Sequence, residues 1–443
     1  MIPGEAEKPL APEDLAYLKV KGCFSLPIES EELIKAYFQF VHPSFPVLDG
    51  PSFLREYASS GLNKINLLLI WSMFSISASY VPKLSRRATK EACVHRAKLL
   101  FDLTHESDKI ILVQSALLLS FWFADAEDIK QSWYWSGIAF GIAQTLGLHR
   151  DLDIGLAQSS TRERRLWRNI WRCCMLRDTW LSHGMGRPLR INTADCELPE
   201  LLASEYDFRD IVFHGADLYT LAETTGFTKM WQALVAVGNA LREIMSVGRN
   251  RSPAQTKSFE TQISRQPDRE RTLLLTVTSR QLRLHQNAAL MALYRSGKGG
   301  EQLEAVAGDT TSIIRACLHD GITDYIAPTT IPLIVPAVLT QLRLLNSMQL
   351  NLRTQGGDTL ELYSRFLTAI EDNYPAAAIV KRMFAAARNS ISRTDPATSR
   401  QQQSTDTLDL FVSSALDPQL DHDRFVAVGP LASFIGMAFD TAG

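Results

Sequence analysis

Apolar residues recur at three- and four-residue steps through most of the chain. Leu33, Ile34, Tyr37, Phe38 and Val41 share one helical face, with Ser30 placed to cap and Glu31 and Glu32 in the first turn. Trp135, Ile138, Ile142 and Leu146 form a second stripe that Gly147 is placed to stop. Leu166, Ile170, Cys173, Cys174 and Arg177 share a face of a third, while Arg164, Arg165, Arg168 and Arg172 decorate its other sides. Two further stripes are Leu234, Val237, Leu241, Ile244 and Val335, Val338, Leu342, Leu345. No run alternates with period two long enough for a sheet, so the pattern predicts an all-α fold.

Several segments break the pattern. Pro3, Pro9, Pro12 and Pro27 are expected to interrupt any helix in residues 1–27, leaving a flexible N-terminal arm. Pro43, Pro46 and Pro51 punctuate the turn-rich stretch HPSFPVLDGP. Residues from about Gly248 to Asp268 are polar and predict a loop inside the domain, and Pro328–Pro336 predicts a break before a long helix. From about Ser390 the chain is rich in Ser, Thr, Gln and Asp; from Arg388 to the end, seven Asp against four Arg leave a net of −3. The predicted division is an arm over 1–27, one large irregular helical domain over 28–389, and a disordered acidic tail over 390–443.

Composition narrows the class. Across 443 residues, 46 Lys and Arg against 48 Asp and Glu leave a formal net charge of −2, which supplies no bulk pull on nucleic acid or an anionic membrane. Hydrophobic residues at 46% and charged residues at 21% are globular proportions. Six irregularly spaced cysteines suit a reducing compartment better than a disulfide framework. The N-terminus carries acids and prolines where a secretory signal needs a basic start and an apolar run. The most apolar segment, Ile65–Val81, is interrupted by serines and is short for a bilayer span. A soluble intracellular protein is expected.

Enzyme motifs are near misses. His105-Glu106 lacks the second histidine of a zinc-protease helix, Ser296–Gly300 lacks the upstream glycine and the Ser or Thr of a phosphate loop, and Gly184-Met-Gly186 lacks the third glycine of a dinucleotide turn. Cys93-Val-His95 has no second ligand pair nearby. The trio Cys174, Asp178 and His183 is one that chance supplies in a chain of this length. The basic clusters Lys83, Arg86, Arg87, Lys90, Arg96, Lys98 and Arg162–Arg172 read as solvated helix faces, and Trp133, Trp135, Trp167, Trp171 and Trp180 read as core. No catalytic or metal site is expected.

Three ordered blocks carry a resemblance, strongest over residues 37–199. The first is YFQFVHPSFPVLDGPSFLREY from Tyr37 to Tyr57, with His42, Pro43, Phe45 and Pro46 at its turn. The second runs from Val113–Leu119 through Trp133–Ala139 to Ala143–Asp151, ending on Gly147, Leu148, His149 and Arg150. The third contains Glu163, Arg165 and Trp167, then Trp171–Cys174 and Asp178, then Gly186, Arg187 and Pro188, and finally Asp195–Pro199. Together they resemble the regulatory, or middle homology, domain of fungal binuclear zinc-cluster transcription factors, similar to the cutinase regulator type. The physics of these residues is structural: Pro188 biases Arg187 toward extended backbone, Gly184 and Gly186 free the chain after the helix, and Asp195 is placed to cap or to accept from an arginine.

The resemblance implies a large helical domain that lies C-terminal to a DNA reader and modulates it. It implies a nuclear regulator of RNA polymerase II genes, metabolic or secondary-metabolite genes in kind, and not an enzyme. The family's six closely spaced cysteines are missing, so no cofactor is expected in this chain, and zinc only with a cysteine cluster upstream of Met1. DNA is then reached through that missing reader or one borrowed from a partner. Transcription coregulators, a homo- or heterodimer partner and a small-molecule effector are the other implied partners, with no membrane. Leu408, Leu410, Phe411 and Leu416, set among aspartates, form a candidate activation segment. The alternative is a stand-alone interaction or sensor module that acts through a partner regulator without binding DNA.

Overall fold

The protein is described by a computed structural model covering residues 10–104, 106–122, 129–150, 160–197, 208–247, 252–264, 272–295, 300–345 and 350–393. Its elements grow from the stripes above. The first comprises α1 (Pro12–Val20) and α2 (Ser30–Ala36), which loosens into one π turn over Tyr37–Val41. There follow α3 (Gly50–Ser60), α4 (Leu67–Ser77), α5 (Arg86–Leu103), α6 (Lys109–Leu119), α7 (Ile129–Thr145) and α8 (Thr161–Met185). After a two-residue-per-strand hairpin (Val212–Phe213 with Ala216–Asp217) come α9 (Leu221–Val247), α10 (Pro253–Ile263), α11 (Leu273–Arg295) and α12 (Gly300–His319). The last are α13 (Thr330–Leu345), α14 (Leu350–Ile370) and α15 (Pro375–Arg393). The all-α expectation holds.

The apolar segment Ile65–Val81 becomes α4, a core helix buried from Leu68 to Ser77 and packed on α2, α5 and α6. Its serines are tolerated there because Ser72, Ser75 and Ser77 donate back to carbonyls of their own helix. Neighbours in sequence then stack pairwise: α6 on α7, α7 on α8, α8 on α9, α9 on α11, and α11 on both α12 and α13. Three apolar cores result. The first is built from α1 to α9 and the start of α11, the second from α11 to α15, and a small third from α9, α10 and α11. Helix α11 feeds all three, with Leu282 in the first, Leu284 and Met291 in the second, and Leu293 in the third. Trp180 of α8 is the one half-buried tryptophan packed against every one of them among the described residues.

Three expectations need correction. Prolines do not keep the N-terminal arm from helix: Pro12 stands at the first position of α1, where its missing N–H is harmless, and Leu18 and Cys23 are fully buried. The polar stretch around Gly248–Asp268 is not a loop throughout. Ser252 and Gln255 form a capping box, Pro253 begins α10, and Phe259 and Ile263 bury its inner face. Its other faces are polar because a peripheral helix needs only one apolar stripe. Likewise Pro336 does not mark a break; it lies inside α13. Thr340 Oγ donates to the Pro336 carbonyl within that helix.

The cap carries a prediction. Ser252→Ala should cost about 1 kcal/mol of helix stability, with amides of α10 exchanging faster and those of α4 unchanged. Hydrogen exchange resolved by peptide would show it, and equal rates in α10 would refute the cap's role.

Candidate functional site

The third sequence block closes around one carboxylate. Asp178 is fully buried on α8, and helix geometry alone leaves it no counter-charge. The chain supplies one by turning sharply. Gly186 ends α8 in the left-handed region at φ 60°, and the Arg187 amide donates to Ser182 O at 2.9 Å. The turn brings the backbone back, so that the amides of Arg190 and Ile191 donate to Asp178 at 3.1 Å each. From α9, Arg242 Nη2 donates to Asp178 Oδ2 at 3.1 Å, while its Nη1 holds Ile191 O at 2.8 Å. Arg190 Nε completes the ring 3.7 Å from Oδ1, and its guanidinium lies 3.8 Å from the centre of the Trp133 ring. Arg187 covers the same ring at 4.9 Å.

The other quoted residues are scattered through supporting structure. His42 is buried against Phe38 and Phe208, and burial pushes its imidazole down to about 3, so it is neutral. Pro43, Phe45 and Pro46 are buried in the same turn, which Gln114 pins by donating to Val47 O at 2.8 Å. Gly50 ends that turn where a Cβ would lie 2.5 Å from Ile211 and 3.0 Å from His42, so only glycine fits without displacement. Gly147 stops α7 at φ 74°, Leu148 is buried behind it, His149 leans on Trp171, and Arg150 is exposed. Arg165 is exposed on a polar cleft shared with Arg55 and Arg162, Trp167 is half-buried, and Pro188 O accepts from Ser182 Oγ. Asp195 is exposed and accepts from Asn192 Nδ2 at 3.1 Å; the carboxylate that gathers arginines is Asp178. His105, Asp151, residues 198–199 and 296–299, and the segment with Leu408, Leu410, Phe411 and Leu416 lie outside the described residues.

The solvated-face reading also fails at particular positions. Lys90, Arg168 and Arg172 are buried. Lys90 donates to the carbonyl and side chain of Asn373, sits 4.6 Å from the Tyr374 ring centre, and is pushed down by burial to about 7. The cysteines offer no metal site. Cys23, Cys93, Cys173, Cys174 and Cys317 are buried free thiols dispersed over the fold; burial raises them all, Cys93 to about 12. Among the described residues no three His, Cys, Asp or Glu stand together to hold an ion. These residues do not fit the zinc cluster of the wider family, and the Cys174–Asp178–His183 trio lacks a reactive thiolate.

Where the cores meet there are two adjoining cavities, of about 90 and 110 Å³. They share the walls Phe121, Arg177, Trp180 and His285, and among the described residues no aspartate or glutamate lines either. His285 lies edge-on to Trp180 at 4.5 Å, and its Nδ1 is 2.7 Å from Gln281 O. Burial lowers both His183 and His285 to about 4, so both rings are neutral. Sequence reading missed this chamber, although an arginine closing the apolar stripe Ile170, Cys173, Cys174 was its signal.

Two predictions follow from these groups. Asp178→Ala should destabilise by about 3–5 kcal/mol in urea, because it strands two cations, whereas Asp195→Ala should stay within about 0.5 kcal/mol. Equal effects would refute the assignment. His42, His183 and His285 have folded values below the unfolded ~6.5, so unfolding takes up protons in acid. Their stabilisation is present above pH ~6.5 and is lost as pH falls toward about 4, at up to about 1.4 kcal/mol per pH unit for each ring. Replacing all three with Gln should flatten that part of the profile.

Cutinase transcription factor 1 beta of Fusarium vanettenii is 34% identical over 210 residues, 45% of this chain and 24% of that protein. The acetamidase regulatory protein of Aspergillus fumigatus is 33% identical over 206 residues, 44% of this chain and 26% of that protein. The match spans about a quarter of the length of these relatives. They are named as transcription regulators, not enzymes. Residues 34–298, more than half of the chain, match the family described as the fungal specific transcription factor domain, and the chain belongs to that family.

Proposed function

We propose that this chain is the regulatory body of a nuclear regulator of RNA polymerase II genes, metabolic or secondary-metabolite genes in kind. The family match over residues 34–298 carries the reading. The printed names of the relatives, a cutinase and an acetamidase regulator, support a metabolic output. Regulation by such a body needs an input and an output. The chamber between the cores supports a small-molecule effector as input, and transcription coregulators are the output. The Asp406–Phe425 segment, with Leu408, Leu410, Phe411 and Leu416 among acids, is the proposed contact for them. No membrane partner is proposed; among the described residues no helix is long and apolar enough to cross one.

DNA is reached through a reader outside these 443 residues or one borrowed in a homo- or heterodimer. The second reading is a module that works only through a partner regulator. A mobility-shift titration on the chain as given separates the two, since tight, sequence-selective binding would exclude the pure partner module. For the regulatory reading itself, the whole chain fused to a heterologous DNA reader should change reporter transcription relative to the reader alone. Unchanged output from a well-expressed fusion would sink it. Asp406–Phe425 fused alone should activate, and silence would remove the activation segment.

A further inference from the structure

Arg177 is a cation without a counter-ion among the described residues. It lies on α8 between the two cavities, lines both, and is only 5% exposed. Its Nε donates to Ser120 Oγ at 2.9 Å and its Nη2 to Ser120 O, both at the C-terminal end of α6. No carboxylate among the described residues pairs with it. Asp178 is next in sequence, but adjacent helical positions face apart, and that carboxylate is taken by Arg190 and Arg242. The helix end and the Phe121 ring, 4.1 Å away, offset only part of the cost of burying the ion, so the balance is unfavourable. Burial accordingly pulls the guanidinium down to about 9, a direction that an anion beside it would reverse. Only Nε and Nη2 have hydrogen-bond partners among the described residues.

A second orphan stands one turn on. Trp180 Nε1 is buried and unpartnered, and its side chain lines the same two cavities. Positions 177 and 180 are three apart and so share a helix face. The surrounding walls are apolar or neutral: Phe121, Ile76, Leu284, Pro328, and His285 held uncharged. Two further cations line the chamber, but both are engaged, Lys90 by Asn373 and Arg280 by Asp320.

We propose that the chamber binds a small carboxylate with an apolar body, its carboxylate on Arg177 Nη1 and the Trp180 indole N–H and its body against Phe121 and Pro328. The ligand supplies the charge that no described residue provides, and the fork of the guanidinium suits the planar group. A neutral isostere would leave both donors' needs half met and would bind weakly.

The inference gives a ligand class to the effector of the proposed regulatory reading and rests on it for biological meaning only. Binding is therefore measured on the purified full chain, with no transcription in the assay. Straight-chain acids of graded length, phenylacetate and phenylpropanoate are titrated beside their primary amides, following thermal stability and tryptophan emission. Acids should raise the melting temperature and perturb emission, and amides should not. Arg177→Met should weaken the best acid roughly 10- to 100-fold while leaving the ligand-free chain folded, since an unpaired buried cation contributes little to stability. Trp180→Phe keeps the ring and should weaken it less, and it serves as the test if Arg177→Met fails to fold. Equal binding of acids and amides, no binding by any acid, or undiminished affinity in both variants would overturn the proposal. A silent reporter fusion with intact acid binding would strike only the regulatory reading.

Discussion

A carboxylate sealed from water is costly unless donors surround it, and Asp178 is that carboxylate here. Satisfying it dictates the course of the chain. The segment after α8 has to reverse within a few residues, which makes a left-handed Gly186 useful, and must present two successive amides, which Pro188 helps by holding the preceding backbone extended. Helix α9 must approach closely enough for Arg242 to reach in. It does so at Gly238, where an added Cβ would lie 2.4 Å from Leu176. Arg190, having met Asp178, is left over Trp133 and ties α7 into the same cluster. One ionic requirement thus sets the relative placement of α7, α8 and α9.

The same helix turns a different side toward the chamber. Asp178 and its arginines look toward α9, while Arg177 and Trp180 look toward α6 and α11. Helix α8 is consequently rigid on one side and underfilled on the other. Its rigid side resists displacement, because moving it strands buried charge. The underfilled side adjoins all three cores through Trp180, and a change there reaches α11, whose residues are shared among them.

Much of the fold is legible from spacing because a helix needs only local information. The stripe Leu234, Val237, Leu241, Ile244 is buried throughout, as are Val335, Val338 and Leu342. What spacing cannot supply is the partner of a polar residue across the chain. Lys90 meets Asn373, 283 positions away, and Arg242 meets Asp178 at a separation of 64. By composition both look like surface cations. Helix α10 was obscured for a different reason: two buried residues in eleven give a weak period, and the legible signal was the Ser252–Gln255 cap. The chamber was least legible, since a cavity is defined by what three separate cores fail to fill.

A cavity alone does not make a switch. A ligand moves an equilibrium only by its difference in affinity for two arrangements, so the question is which arrangement it can favour. Here Ser120, at the end of α6, accepts from Arg177, and Thr329, just before α13, also lines the chamber. An anion that engages the guanidinium would bind only when α6, α8 and the entry to α13 stand close together, because its two ends need opposite walls. The first core and the second are already tied where Lys90 meets Asn373 and Asn373 donates to Ser79 O, and the anion would add a second tie between them.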